Sequence, residues 1–171
     1  MSEAPRIYPL PLMALPGTMA IMPAPPGGDG LAAALSALPA TLGTEAADTT
    51  LVCLVEAAEV AQLSLEDEGA HFEALGGSFI HFPIPDRSVP ADDAAFIRLA
   101  GELLERLRNG QCVIAHCWGG IGRSGLLACT IGCLAGGEPN DLKARISAAR
   151  ETAVPESAEQ HHWLERHFSK A

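Results

Sequence analysis

Aromatic residues are scarce, at 5% of 171 positions, and positive charge is scarcer than negative, with 11 Lys and Arg against 21 Asp and Glu. The net charge of -10 repels polyanions, so neither nucleic acid nor an acidic membrane surface fits as the main partner. Any anion bound here must be held by local geometry. Long hydrophobic runs are missing as well. The uncharged stretch Ile7 to Gly28 contains Pro9, Pro11, Pro16, Pro23, Pro25 and Pro26, which remove backbone donors and break a spanning helix. Those prolines, and Glu3 where a basic segment belongs, also argue against a secretory signal. A second uncharged run, Ser124 to Gly137, falls short of the ~20 residues that cross a bilayer and reads as a buried core helix. No Gly-Lys pair is present, which removes a Walker-type phosphate loop. The cysteines are odd in number (Cys53, Cys112, Cys117, Cys129 and Cys133) and do not form a disulfide framework, so a reducing cytosol is the expected setting.

What is present is ordinary globular composition, 48% apolar and 19% charged, which excludes disorder, collagen and a coiled coil. A chain of this length suits one compact domain, 1–171, and no repeat or long linker divides it. The first thirty residues are Pro- and Gly-rich, with a short strand predicted at Thr18 to Met22. Asp29 is placed to cap a helix through Leu31, Leu35 and Leu38. Thr49 to Val55 and Ser78 to Phe82 read as strands, with helical stretches through Val60, Leu63, Phe72 and Leu75 between them. Asp92 to Arg108 predicts an amphipathic helix stopped by Asn109 and Gly110, and Cys112 to Ala115 a short apolar strand. After the turn at Trp118 to Gly122, helices fill most of the remaining chain. Strands separated by helices imply the α/β class, with a mainly parallel central sheet flanked by helices.

The segment HCWGGIGRSG, His116 to Gly125, carries the chemistry. Glycines between a strand end and a helix start gather backbone N–H groups around one point, where the helix dipole also favours negative charge. Into that anion cradle the sequence puts the Cys117 thiol and, six residues on, the Arg123 guanidinium. A thiolate among such donors has a lowered pKa and is a nucleophile at neutral pH. Arg123 offers a planar fork to two oxygens of a phosphoryl group. Ser124 is placed to donate to the sulfur, and His116 to orient the loop from behind.

His-Cys, five residues, Arg-Ser resembles the phosphate-binding loop of the cysteine-dependent protein tyrosine phosphatase superfamily. The Trp-Gly-Gly-Ile-Gly filling is similar to that of dual-specificity enzymes of the kinase-associated phosphatase type. FPIPDRSVP, Phe82 to Pro90, resembles the family's general-acid loop and carries Asp86. AVPESAEQHHWLERHF, Ala153 to Phe168, is similar to its terminal helix, in which a glutamine, here Gln160, helps place the attacking water. The resemblance is clearest over 49–168. It implies a phosphatase-type fold and hydrolysis through a cysteinyl phosphate. Cys117 attacks, Asp86 serves as acid and then base, and Trp118, Gly119, Gly120, Ile121, Gly122 and Arg123 bind the phosphoryl oxygens. Neither metal nor organic cofactor is required. Its substrate is expected to be phosphotyrosine in a protein or peptide, with phosphoserine and phosphothreonine as further esters and a small soluble phosphoester as the alternative.

Blander readings stand beside these. Cys117 alone could be an inert core thiol, and Asp86 a turn residue beside Pro85. Arg87 and Ser88 read as loop surface. Gln160 reads at least as well as a solvated residue on a polar helix face; adjacent His161 and His162 point in different directions and no Cys pair accompanies them or His167, so the histidines read as solvated and not as a metal site. Trp118 either packs or stacks at the pocket mouth. Cys53 is a weak candidate for a protective disulfide with Cys117. Gly120 to Gly125 also satisfies GxGxxG, but a dinucleotide site needs a further parallel strand, and none is predicted after Gly137. A phosphopeptide-binding module without turnover would lack nucleophile or acid. Sulfur-transfer and arsenate-reducing proteins would not need Asp86.

Overall fold

The computed structural model describes residues 5–169. Its centre is a five-stranded sheet in the order β1-β2-β5-β3-β4, formed by Tyr8–Pro9, Met19–Met22, Thr49–Cys53, Ser78–His81 and Cys112–His116 in chain order for β1 to β5. Three pairings are parallel and only β1–β2 is antiparallel, as the alternation of strands and helices leads one to expect. The two-residue β1 carries no sequence signal and escaped prediction. Strands β3 and β4 end at Cys53 and His81, earlier than expected, although the Leu54 N–H still donates to the His116 carbonyl at 3.0 Å and the Phe82 N–H to the Cys53 carbonyl at 2.9 Å before the loops open. β5 runs one residue further, to His116.

Among the described residues seven α-helices accompany the sheet: α1 (Leu31–Thr41), α2 (Ala57–Gln62), α3 (Glu68–Ala74), α4 (Asp93–Arg108), α5 (Arg123–Leu134), α6 (Pro139–Arg150) and α7 (Ala158–Phe168). α1 and α3 pack on one face, around Leu31, Leu35, Leu38 and Phe72, with Leu51 and Ile114 beneath them. On the other face α4, α5, α6 and α7 enclose the larger core. α4 buries Phe96, Leu99, Ala100, Leu103, Leu104 and Leu107, a spacing of three and four that puts one stripe on the core. Asp92 caps it by accepting from the Ala95 N–H at 3.0 Å. Asp29 does not cap α1. It lies inside a 3₁₀ turn at Gly28–Gly30, and the N-cap is Gly30, whose missing side chain leaves the helix start without a side-chain acceptor. α5 is buried from Arg123 to Gly132, matching the charge-free run expected to be a core helix. No helix among the described residues is long and apolar enough to cross a membrane.

Three parallel strands, β3, β4 and β5, end at the same edge, and an open α/β sheet receives ligands at the carboxyl ends of its strands. The turn from β5 into α5 and the loops after β3 and β4 therefore meet at one place. Among the described residues only α6 and α7 come after α5, so the GxGxxG match has no following strand there to complete a dinucleotide fold.

Candidate active site

Cys117 follows directly on β5, and the turn Trp118 to Gly122 returns the chain into α5 at Arg123. Gly120 has φ +70°, and a Cβ there would lie 2.3 Å from the Met22 carbonyl carbon, so both backbone conformation and space demand glycine. Outside the turn, the Trp118 carbonyl accepts from Ala24 N–H at 3.0 Å. Arg150 of α6 donates to the Gly120 and Gly119 carbonyls at 2.9 and 3.0 Å and stacks its guanidinium 4.0 Å from the Tyr8 ring centre. With those carbonyls engaged elsewhere, the Ile121 amide and the Ser124 amide at the helix start donate to the Cys117 sulfur, the beginning of a nest for negative charge.

Cys117 and Arg123 are almost fully buried, at 3% and 1% exposure, yet both line one cavity of about 170 Å³. Asp86, Trp118, Gly119, Ile121, Gly122 and Glu156 complete its walls, and Trp118 stands exposed at the mouth. The pocket thus reaches the sulfur, and of the loop residues expected to bind phosphate Trp118, Gly119, Ile121, Gly122 and Arg123 line it while Gly120 does not. Burial alone would raise the Cys117 thiol. Hydrogen bonds from the Ser124 hydroxyl, at 3.4 Å, and from the Ser124 and Ile121 amides, with the charge of Arg123, outweigh burial and lower its pKa. The contrast within the chain is large: burial without such donors pushes Cys129 up to about 12 and Cys133 to about 11.

Arg123 is held by four bonds. Its Nη1 donates to Glu59 Oε2 at 2.7 Å and to the Ile84 carbonyl at 2.9 Å, and its Nη2 to Glu59 Oε1 at 2.8 Å and to Asp86 Oδ1 at 3.2 Å. A guanidinium has five N–H donors, so Nε–H is left over, while the Nη2–H on Asp86 is bound only by a long contact. Burial would weaken the arginine's charge, but the Glu59 bond and the negative charges of Cys117, Glu59 and Asp86 outweigh it and raise its pKa further. Glu59 is in turn placed by α2, where its Oε2 accepts from the Glu56 N–H at 2.8 Å in a capping box. The hydrogen bond from Arg123 keeps its carboxyl below the ordinary value against partial burial. Sequence reading did not find Glu59. An acidic residue in a first helical turn is ordinary, and nothing in the chain before it points to Arg123.

His116 lies behind the loop, fully buried, where its Nδ1 donates to the Cys117 carbonyl at 3.1 Å. Its other nitrogen, Nε2, meets Glu68 of α3 at 2.6 Å. Glu68 was likewise not foreseen. Cys53 pairs in register with His116, and its sulfur lies within 4.8 Å of the Glu68 and His116 ligand atoms.

The α7 residues correct the solvated-face reading. Gln160 is fully buried, its Oε1 accepts from the Glu156 and Ser157 amides at 3.1 Å, and its Nε2 donates to the Ser88 carbonyl at 3.0 Å. Both ends of its amide are engaged in capping α7 and tying down the loop that carries Asp86. Ser88 is therefore an anchor point of that loop and not free surface. His161 contacts the Pro155 carbonyl and Lys143, and His167 contacts Asp93, which leaves only His162 exposed. Glu156, four residues before Gln160, is the α7-side residue that lines the cavity.

A thiol and guanidinium in one strand-to-helix turn, at the carboxyl edge of a mainly parallel sheet, define the class: the fold is that of the protein tyrosine phosphatases. It superposes on kinase-associated phosphatase, in a form with the active-site cysteine replaced by serine, with a TM-score of 0.83 at 18% identity, covering 97% of this chain and 95% of that one. On Tk-PTP in its active form the TM-score is 0.71 at 25% identity, over 96% and 98% of the two chains. The chain belongs to the family described as polymorphic toxin system, DSP-PTPase phosphatase, whose model matches residues 39–135. In sequence it is similar to mouse cyclin-dependent kinase inhibitor 3, 41% identical over 51 residues. That match spans 30% of this chain and 24% of the mouse protein's length.

Proposed function

We propose that the chain acts as one protein phosphatase unit that hydrolyses phosphotyrosine, and the shorter phosphoserine and phosphothreonine esters, through a cysteinyl-phosphate intermediate. The observation that carries this reading is the single cavity shared by Cys117, Arg123 and Asp86. A phosphoester entering it exchanges its oxygens for the Asp86 contact on Arg123 Nη2 and takes up the free Nε–H. Asp86, released from Arg123, takes up a proton from solvent; Cys117 then attacks phosphorus in line, forming the S–P bond as the P–O bond to the alcohol breaks, and the protonated Asp86 gives that proton to the departing oxygen. In the second step the Asp86 carboxylate takes a proton from water, whose oxygen displaces sulfur from phosphorus. Inorganic phosphate leaves and the thiolate returns. Ser124, donating to the sulfur, improves it as leaving group.

Protein substrates are favoured over polyanionic head groups. The turn Trp118 to Gly122 carries no cation, the Arg123 guanidinium in the cavity is already balanced by Glu59, and Glu156 adds a further carboxylate to the wall. The mouse relative's name refers to a cyclin-dependent kinase, which makes a phosphorylated kinase the first partner to test. A reducing compartment such as the cytosol fits, since all five cysteines are free and Cys117 must stay reduced. The test is hydrolysis of an aryl phosphate by purified protein in the presence of a chelator, with a burst of one product per enzyme. Hydrolysis that continues unchanged in Cys117→Ser removes the covalent route. A phosphopeptide panel captured by that same variant then identifies the sequence context.

A further inference from the structure

The back of the loop holds a buried ion pair that the reaction as written does not use. His116 has an oxygen at each ring nitrogen, the Cys117 carbonyl at 3.1 Å from Nδ1 and Glu68 Oε1 at 2.6 Å from Nε2. A carbonyl oxygen only accepts, so Nδ1 carries hydrogen, and an ionised Glu68 requires hydrogen on Nε2 as well. One shared proton thus decides between imidazolium with carboxylate and imidazole with carboxylic acid.

The surroundings decide it. From β3 the Cys53 sulfur lies within 4.8 Å of the Glu68 and His116 ligand atoms. Glu66 and His81 line a neighbouring cavity of about 230 Å³ that also touches Cys53 and Glu68. On the chain side the next residue is Cys117, and Arg123, which lines the same cavity, is balanced by Glu59. Burial by itself would strip the ring's proton. Hydrogen bonding with Cys53 and Glu68, and the Glu68 charge, outweigh burial and hold His116 well above its ordinary value.

We propose that Glu68 is a positioning residue of the active site, keeping His116 doubly protonated and fixing its ring against the back of the Cys117 loop. Two effects follow. The Cys117 carbonyl is held pointing rearward, so the amides that follow it face the phosphate. The positive end of the pair lies behind the nucleophile and the carboxylate lies beyond it, an orientation that favours the thiolate. Burying such a pair is costly, and apolar packing would fill the space more cheaply. What apolar packing cannot supply is a fixed Nδ1–H and a cation at this place.

This deepens the phosphatase reading, and its test also has a readout that needs no turnover. The rate of iodoacetate alkylation at Cys117, located by mass spectrometry, is followed against pH in wild type and in Glu68→Gln. Glutamine keeps the shape and donates an amide N–H to Nε2, leaving the ring neutral with Nδ1–H intact. Its alkylation limb is expected to move to higher pH by about one unit, a roughly tenfold slower reaction below the limb. The acid limb of kcat/KM should move with it. An unmoved limb in a folded Glu68→Gln protein overturns the proposal. So does a shift of equal size when the substitution is made in His116→Asn, because Glu68 would then act by another route. Should the glutamine variant not fold, nitrogen NMR of wild-type histidines decides: a doubly protonated His116 at pH 7 is expected, and a neutral ring overturns the proposal. Absence of phosphatase activity with a shifted alkylation limb sinks the catalytic reading and leaves this one standing.

Discussion

Of the two carboxylates on Arg123, Glu59 comes from the first turn of α2, is 12% exposed and meets the guanidinium with both oxygens at 2.7 and 2.8 Å. Asp86 comes from the loop after β4, is 61% exposed and makes one contact of 3.2 Å. The same charge on the same partner therefore does different things. A shielded, bidentate pair fixes the direction of the fork, whereas a single exposed contact is weak enough to be exchanged for a phosphoryl oxygen. Orientation and proton transfer are divided between two carboxylates because one group cannot be both immobile and free to move.

The largest effect should come from removing what the two share. Arg123→Lys retains charge but has no fork for Glu59 or for two phosphate oxygens, and turnover should fall by roughly 10²- to 10³-fold or more in steady-state assays. Activity near wild type would show that charge alone suffices and that the Glu59 geometry is incidental. Next is Glu59→Gln, which leaves the guanidinium buried without its carboxylate. Because Glu59 remains partly in contact with solvent, a stability loss on the order of 2 kcal/mol is expected in urea unfolding. kcat/KM should drop together with stability. The pH dependence has a definite sign. The Glu59 carboxyl is depressed in the folded protein, so its contribution is present above the ordinary carboxylate range and is lost as pH falls through the lowered value. The gap between wild type and Glu59→Gln should therefore close in acid.

Asp86→Asn should behave in the opposite way. Its unfolding curve should stay within about 0.5 kcal/mol of wild type, while hydrolysis of esters with poor leaving groups falls about 10²-fold and that of activated aryl phosphates much less. Equal losses on both substrate types would mean that Asp86 positions Arg123 as Glu59 does, and the distinction between them would disappear.

Legibility in the sequence followed the same division. Cys117, Arg123, Ser124 and the glycines between them lie in one continuous turn, so their joint chemistry could be read directly, and Asp86 came with a recognisable proline-flanked loop. The helices α4 and α5 were legible because their burial patterns are periodic or continuous. Glu59 lies 64 residues before Arg123 and Glu68 lies 48 before His116, and they are brought together only by the order of strands in the sheet. A lone glutamate early in a helix looks the same whether it faces water or a guanidinium. The burial of Gln160 was hidden for a related reason: a polar residue among histidines suggests a wet surface, and only the folded chain brings the three hydrogen-bond partners, Glu156, Ser157 and Ser88, to its buried amide.

Gln160 supplies the finest test, because it ties down the far side of the loop that must let Asp86 move. Its Nε2 fixes the Ser88 carbonyl, two residues beyond Asp86, while its Oε1 satisfies two amides at the start of α7. Gln160→Leu fills a similar volume but strands those amides and frees the loop, so a stability loss of about 1 to 3 kcal/mol is expected. The kinetic effect should be only a few-fold and should fall mainly on the first step, where Asp86 must be in place to protonate the leaving group. Rapid-quench measurement separates this from a role in placing water. A water-placing glutamine would slow hydrolysis of the cysteinyl phosphate and make the phosphoenzyme accumulate, whereas an anchor leaves its steady-state level low. Accumulation in Gln160→Leu would return that residue from the scaffold to the chemistry, and with it some of the freedom now assigned to Asp86 alone.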